Sequence, residues 1–497
     1  MKINNSLSSI LDERIEIFEK FITHAGLERK QYQVEGVRWC LKNELRDDPP
    51  CGVRGGFIAD EMGLGKTIMM IGICLANFMK KTLIVVPPIL IDQWYDQILK
   101  TTGHKSLIYH GANKKYFDIN ILNNSVIVIT TYASLNSILL KIKWSRIIYD
   151  EAHHLRNDNM RSCCSRFINA NIRWLVSGTP IQNKKKDFYN LCKILKMPAS
   201  YYSDKKNLPE IARCFIMKRT KKQVGIDLPH IFIDNVEVNW KNDTEMMLSK
   251  VIHSVLNFMP IYLNNNIITN NINHFSSYIK NYLPFIMILR ARQSTIFPKL
   301  LKGWFDKLIE KGAIPDYCNF EEAFYSTSKL DSVIDAIYAN KDNGNGKIVF
   351  CHYHQEMDEI AMRLRNVGFA NVAIFDGRKI GTDRYKILAE KSDVLILQIN
   401  TGCEGLNLQE NYSEIYFVSP NWNPYIEEQA VARCHRIGQT KPVFVKRFEM
   451  SGFVNNNNTN TNEKQNNSTF NSGITIEKYV NDVQNNKRQI INDILNN

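Results

Sequence analysis

The chain has 497 residues, 44% of them hydrophobic and 23% charged, an ordinary globular balance that excludes a disordered or fibrous protein. At roughly 100–200 residues per domain this leaves room for several folded units. The formal charge of +13 favours polyanionic partners, and eleven scattered cysteines without a C-x-x-C pair exclude a disulfide scaffold and fit a reducing, intracellular compartment.

Residues 1–28 read as an N-terminal extension. Polar and charged residues are interspersed from Met1 to Lys20, so no secretory signal is expected, and the longest apolar run, Ile68 to Met79, is too short to span a bilayer and contains Asn77. A soluble protein with no membrane partner is expected. From 29 to 232 short runs rich in Ile and Val ("GGFIAD", "TLIVVPP", "SVIVITT", "RIIYDEAH", "RWLVSGTP") alternate with helix-length segments. Continuous apolar strands joined through helices predict a parallel sheet covered on both faces, hence one α/β lobe. Residues 233–325 are mostly helical in pattern, with the Asn-rich interruption "NNNIITNNINH", and read as helical protrusions and linker. A second α/β alternation fills 326–454. The Asn-rich tract 455–473 cannot bury enough apolar surface to order itself, and 474–497 is predicted as a brace helix with the stripe Ile476, Tyr479, Val480, Val483, Ile490, Ile491 and Ile494.

The segment Asp60-Glu61-Met62-Gly63-Leu64-Gly65-Lys66-Thr67 follows a strand and opens a helix, the context a phosphate loop requires. The glycines let backbone N–H groups fold around phosphate oxygens, and the helix adds its positive end. Lys66 can then bridge the β- and γ-phosphates while the Thr67 hydroxyl ligates Mg²⁺. A purely structural turn would use the glycines but would not require Lys-Thr at the helix start. The strict pattern has Gly where Asp60 stands.

Asp150-Glu151 ends the strand "RIIYDEAH", so its carboxylates reach the crevice at a parallel sheet's C-terminal edge. Asp150 is expected to hold Mg²⁺ and Glu151 to orient or deprotonate an attacking water. Such an acidic pair is often only a helix cap, a reading that weakens beside a phosphate loop in the same sheet. Arg433 and Arg436, three apart in a segment read as helical, would share one face. Surface arginines are usually solvated, but a lobe built like a nucleotide binder without its own loop can supply arginine fingers across a cleft. The run Cys351-His352-Tyr353-His354 has metal-ligand residue types, yet it lies in an apolar strand whose neighbours point to opposite faces, so packing is expected there.

In chain order, "KQYQVEGVRW", "FIADEMGLGKTIMM", "LIVVPPILIDQW", "ITTYASL", "IIYDEAHHLRN", "RWLVSGTPIQN", "FIMKRTKKQV" with "DLP", "KIVFCHYH" and "TGCEGLNLQENY" through "RCHRIGQTKPVFVKRF" resemble the motifs of the Swi/Snf family of superfamily-two DNA translocases, over about residues 28 to 450. The resemblance implies two RecA-like lobes in tandem, ATP and Mg²⁺ as cofactors, and double-stranded DNA as partner, with nucleosomes or transcription factors as further candidates. It implies that Gln33 reads adenine and that Gln429, Arg433 and Arg436 face the γ-phosphate. Ser177, Gly178, Thr179, Pro180 and Gly405 would couple nucleotide state to DNA. Lys184, Lys185, Lys218, Arg219 and Lys221 would contact DNA, although solvated charge is the usual explanation of such runs, and Lys446-Arg447 forms a further basic pair. "RKQYQ" and "FDGRK" depart from the family pattern, the second at a lobe-two DNA contact. The compactness is similar to that of the baculoviral global transactivators, and a stripped, monomeric motor acting in the nucleus is expected. A strand-separating helicase and a non-hydrolysing transcriptional scaffold are the alternatives; intact Lys66, Asp150, Glu151 and both arginines count against the scaffold.

Overall fold

The computed structural model describes residues 2–178, 185–256, 284–317, 319–378, 390–402, 406–453 and 473–495, with the single residues 279 and 387. They form two compact units, Met1–Asp227 with Lys487–Asn497, and Leu228–Asn486.

The first unit is built on seven parallel strands: β1 (Gly55–Ile58), β2 (Thr82–Val86), β3 (Leu107–Tyr109), β4 (Ile127–Thr131), β5 (Lys143–Asp150), β6 (Asn169–Val176) and β7 (Ile216–Met217). Their order across the sheet is β3-β4-β2-β5-β6-β1-β7. Every residue of β1 and β2 is buried, as a sheet covered on both faces demands. Four helices matter for the site: α1 (Lys2–His24), α2 (Gln31–Leu45), α3 (Lys66–Ala76) and α4 (Ile91–Thr102). Phe18, Val37, Met69, Ile73, Trp94, Ile148 and Trp174 share one core with them, so the N-terminal extension is part of this unit's packing. A Cβ on Gly72 would sit 2.4 Å from the Phe18 ring, so α1 lies directly on α3.

A buried ion pair ties this unit together. Arg146 on β5 donates from Nε to Glu44 Oε1 at 2.7 Å, the Trp174 indole reaches the same oxygen at 2.8 Å, and the Asn77 amide donates to Glu44 Oε2 at 2.8 Å. Both charged side chains are fully buried. Such a pair is sustained by its extra hydrogen bonds, since desolvation alone would outweigh the Coulomb attraction.

The second unit carries six parallel strands: β8 (Ile231–Val238), β9 (Gly346–Cys351), β10 (Val372–Phe375), β11 (Val394–Gln398), β12 (Tyr412–Phe417) and β13 (Val443–Met450), in the order β10-β11-β9-β12-β13-β8. β8 pairs with β13 along its whole length. Residues 228–232, expected in the first lobe from sequence, therefore belong to the second unit, and 233–238 are strand rather than helical linker. "IFIDNVEV" hides this because an edge strand needs only one neighbour and tolerates the exposed Asp234 and Glu237.

The helices Asp243–His253, Pro284–Ile296 and Lys302–Glu310 surround a core of their own that includes Leu248, Ile252, Met287, Trp304, Phe305 and Phe324. Residues 257–278, 280–283 and 318 of the expected protrusions, and the tract 455–473 except residue 473, lie outside the described residues. The C-terminal helix Ile476–Leu495 buries Ile476 and Val480, but also Glu477 and Gln484. Glu477 pairs with the buried Lys329 and accepts the Met450 N–H at 2.8 Å, and Gln484 donates to Glu427 at 2.9 Å. The expected stripe is thus half polar, because this helix closes hydrogen bonds as well as a core; the side chains of Ile490, Ile491 and Ile494 lie outside the described residues. Among the described residues no helix is long and apolar enough to cross a membrane.

Candidate nucleotide site

β1 delivers residues 60–67 to the C-terminal edge of the first sheet, where α3 begins at Lys66. Gly63 and Gly65 hold φ values of 90° and 77°, a left-handed backbone that an L side chain rarely adopts. A Cβ on Gly65 would also lie 2.3 Å from Gln33 Nε2. Gln33, expected from sequence to read adenine, is buried and donates that nitrogen to the Leu64 carbonyl at 3.2 Å. The Lys66 ammonium donates to the carbonyls of Asp60 at 2.8 Å and Glu61 at 3.3 Å, so the loop folds round its own cation. Met62 and Thr67 are half-buried, whereas Leu64 is buried in the core.

Asp60 and Glu61 act on the loop from behind. The fully buried Asp60 carboxylate accepts from the Arg219 backbone N–H at 3.0 Å and from Arg219 Nε at 3.1 Å, and Arg219 reaches on to the Tyr32 carbonyl. Glu61 accepts the Lys221 N–H at 2.8 Å and pairs with its ammonium at 3.2 Å. β7 lies beside β1, so the side chains of Arg219 and Lys221, expected from sequence to contact DNA, both meet carboxylates of the loop here, and the buried Asp60 carboxylate requires such a cation. Lys218 is exposed; Lys184, the side chain of Lys185, Thr179 and Pro180 lie outside the described residues.

Asp150 ends β5 and Glu151 follows in left-handed backbone (φ 50°, ψ 50°). A non-glycine residue held there costs about 1–3 kcal/mol, which surrounding contacts must offset. The adjoining Asp150 is held by three hydrogen bonds. The Trp94 indole of α4 donates to Asp150 Oδ2 at 2.7 Å, the Glu151 N–H to Asp150 Oδ1 at 3.0 Å, and the Tyr132 hydroxyl to the Asp150 carbonyl. Burial, reinforced by the Glu151 charge, pushes the Asp150 carboxyl up to about 7, against the Trp94 hydrogen bond and the nearby Lys66 ammonium that pull it down. Glu151 Oε2 lies 3.2 Å from His153 Nδ1, and that nitrogen lies 3.3 Å from Ser177 Oγ. Ser177 follows β6 with its N–H on the Ile58 carbonyl at 3.0 Å, and a Cβ on Gly178 would stand 3.7 Å from Lys66 Nζ. Lys66, Asp150, Glu151, Ser177 and Gly178, separated by up to 112 positions, therefore meet at one sheet edge. A cationic loop at a helix N-terminus beside two carboxylates suits a phosphate chain with a divalent cation.

In the second unit, Gln429 is buried on the helix Pro424–Val431. That helix ends before Arg433 and Arg436, which occupy the following turns rather than the continuous helical face expected from sequence. The turns are pinned: the Leu408 N–H donates to the Arg433 carbonyl at 3.1 Å, Gln439 donates to the Tyr412 and Cys434 carbonyls at 3.0 and 3.2 Å, and His435 Nε2 meets the Pro229 carbonyl at 2.9 Å. Arg436 donates to Asn407, and its guanidinium is less basic than usual through burial and then the Arg433 charge. Gly405 lies outside the described residues. Of the histidine-cysteine run, Cys351 is buried and His352 faces Arg292 Nη2 at 2.6 Å, so it serves to anchor the helix Pro284–Ile296.

The family described as SNF2-related domain matches residues 32–295, more than half of the chain, and that described as helicase conserved C-terminal domain matches 328–438. The chain belongs to the SNF2-related family. A probable global transactivator of Orgyia pseudotsugata multicapsid polyhedrosis virus is 24% identical over 84% of this chain and 85% of its own length. The DNA repair protein RAD5B of Arabidopsis thaliana is 24% identical over 80% of this chain and 43% of its own. An uncharacterized ATP-dependent helicase, MG018, of Mycoplasma genitalium is 25% identical over 98% of this chain and 45% of its own. This SNF2-related chain thus spans less than half the length of two of these relatives and most of the third. Among solved structures, a Sulfolobus solfataricus SWI2/SNF2 ATPase core in complex with dsDNA is 23% identical, covering 86% of this chain and 88% of its own, at a TM-score of 0.39.

Supporting roles that the motifs do not spell out appear in each unit. In the first unit Trp94 and Tyr132 hold Asp150, and Arg219 holds Asp60; in the second His435 holds Pro229.

Proposed function

We propose that this SNF2-related protein hydrolyses ATP, stimulated by double-stranded DNA, and uses the cycle to move on the duplex and remodel protein–DNA contacts, with effects on transcription in the nucleus. The observation that carries the reading is the Lys66 ammonium, folded into its own loop and close to both Gly178 and Asp150. Phosphate oxygens would take over the hydrogen bonds that Lys66 now gives to carbonyls. Glu151 would orient the attacking water, with His153 and Ser177 relaying the state of that position to the segment after β6.

The donor set fits Mg²⁺: a buried carboxylate held near neutrality at Asp150 gains a counter-charge, and the Thr67 hydroxyl offers a hard oxygen. When bound, the ion would neutralise phosphate charge. Arg433 and Arg436 are the candidates to stabilise charge on the γ-phosphate, and an anion would favour the charge that burial disfavours on Arg436.

The deciding experiment measures phosphate release with matched duplex DNA, single-stranded DNA and RNA at two salt concentrations. Duplex should stimulate most, and stimulation should fall with salt because phosphate contacts release counterions. Maximal stimulation by RNA or single strands, with duplex inert, would instead make it a strand-separating helicase. No phosphate release under any condition would leave a DNA-binding scaffold.

A further inference from the structure

β13 and β8 are the last two strands of the second sheet, and Phe444 stands directly opposite Phe232 in their register. The rings stack at 5.2 Å and 11°, and His230 meets Phe232 edge-on at 4.5 Å. Phe232 and Phe444 are nevertheless 47% and 39% exposed. An aromatic pair stacked at the surface forgoes the burial from which most such pairs draw their stability.

Phe232 backs Phe444 from the β8 side. On the β12 side Phe444 forms the wall of a cavity of about 190 Å³ whose other walls are Asn340, Asn343, Asn345, Glu414, Tyr416 and Lys446. That is larger than a cavity of roughly 150 Å³ that takes benzene and smaller than the roughly 300 Å³ at which drug-sized sites begin. One planar ring system fits. The polar walls are fixed in advance: Glu414 accepts from Asn345 at 3.1 Å and from the Tyr416 hydroxyl at 2.7 Å, and Asn343 shares its Oε1. Lys446 stands half-exposed at the rim, 3.7 Å from Asp234, while its neighbour Arg447 turns away to Glu427 at 3.1 Å. Of the basic pair visible in the sequence, Lys446 is therefore the member left beside the cavity.

We infer that this pocket receives an unpaired nucleobase, stacked on Phe444 so that it lengthens the Phe232–Phe444 stack by one ring, with Lys446 beside the attached phosphate. The hydrogen-bonded asparagines and tyrosine form rigid polar walls around the ring's edge, and the stacking face accepts any base. A single strand is the favoured source, since the +13 chain attracts a polyanion and the cation sits at the rim. None of these residues belongs to the nucleotide site, so the inference goes beyond the proposed ATPase and does not depend on it.

The test uses two probes with the full chain: an oligothymidylate carrying one 2-aminopurine, and free 2-aminopurine riboside. Binding to the pocket quenches the fluorescent base. Phe444→Leu keeps an apolar side chain but removes the ring face, and should weaken quenching of the strand about tenfold or more while the melting temperature and duplex-stimulated phosphate release match the parent. Lys446→Gln should weaken the strand and leave the riboside unchanged. Riboside bound as tightly as the strand would assign the pocket to a free nucleoside, the same base chemistry from another source. A 5-iodouracil strand should crosslink by light to the peptide containing Phe444. Equal quenching by parent and Phe444→Leu, with crosslinks only elsewhere, overturns the inference, including in favour of a protein docked on the same aromatic face.

Discussion

The glycine-rich loop of the first unit and the arginine turn of the second handle charge in opposite ways. Around the loop every carboxylate has its cation, Asp60 with Arg219 and Glu61 with Lys221, and Lys66 is held by two carbonyls. Around the turn, the half-buried Arg436 rests on the neutral Asn407 and is less basic than usual through burial and then the Arg433 charge. One region is a cradle assembled before any ligand arrives. The other holds cations that an anion would stabilise. Preorganised donors need no rearrangement when charge develops, whereas a half-buried cation gains most from a charge that grows during reaction.

Removing the centre of the cradle should have the largest effect. Lys66→Ala should bring turnover to background, and Glu151→Gln should do the same while still binding a fluorescent ATP analogue, because it leaves the phosphate grip intact. Substantial turnover by Lys66→Ala would break the comparison at its root. Arg436→Ala should lower kcat by about 10³-fold and change KM little, as expected of a group acting mainly in the transition state. A raised KM at unchanged kcat would show the turn to be a ground-state binding site.

Arg219→Ala would leave Asp60 buried without its cation and should cost about 3–5 kcal/mol in urea unfolding, with the salt dependence of duplex binding unchanged. If instead stability held and the salt slope fell by about one unit, Arg219 would be a DNA contact and not a loop support.

The smallest effect concerns Glu356, a buried carboxylate of the second unit that accepts the His352 and Tyr353 N–H groups at 2.9 and 3.0 Å without a described ion pair. Burial raises it from the ordinary 4.5 to about 7, those hydrogen bonds opposing. The unfolded chain loses this proton first, so the stability the protonated form provides is full below about 4.5 and is lost as pH rises to about 7. Glu356→Gln keeps an acceptor and stays neutral, and should therefore be more stable than the parent at pH 8 by on the order of 1–3 kcal/mol, the advantage shrinking toward pH 5. An advantage independent of pH would remove the contrast with the paired Asp60.

Much of this was legible beforehand. The strands flanking Asp60 and Asp150 announce themselves because parallel strands buried on both faces must be continuously apolar, and the loop because only glycine and Lys-Thr suit that chemistry at a helix start. β3, β7 and β8 were not legible: β7 is two residues long, and β8 mixes charge into an edge position. Lys-Arg runs were equally opaque, since the same side chain serves a DNA phosphate or a buried carboxylate depending on what packs against it.

The sequence by itself determined the two α/β alternations, the family, and the positions of Lys66, Asp150, Glu151, Arg433 and Arg436, because local periodicity and motif spacing are properties of adjacent residues. Only the tertiary structure decided that Arg219 supports Asp60, that Trp94 holds Asp150, and that Phe232 and Phe444 stack beside a polar cavity. Those pairings join residues 56 to 212 positions apart, and what a charged or aromatic side chain does is set by the partner that desolvates it.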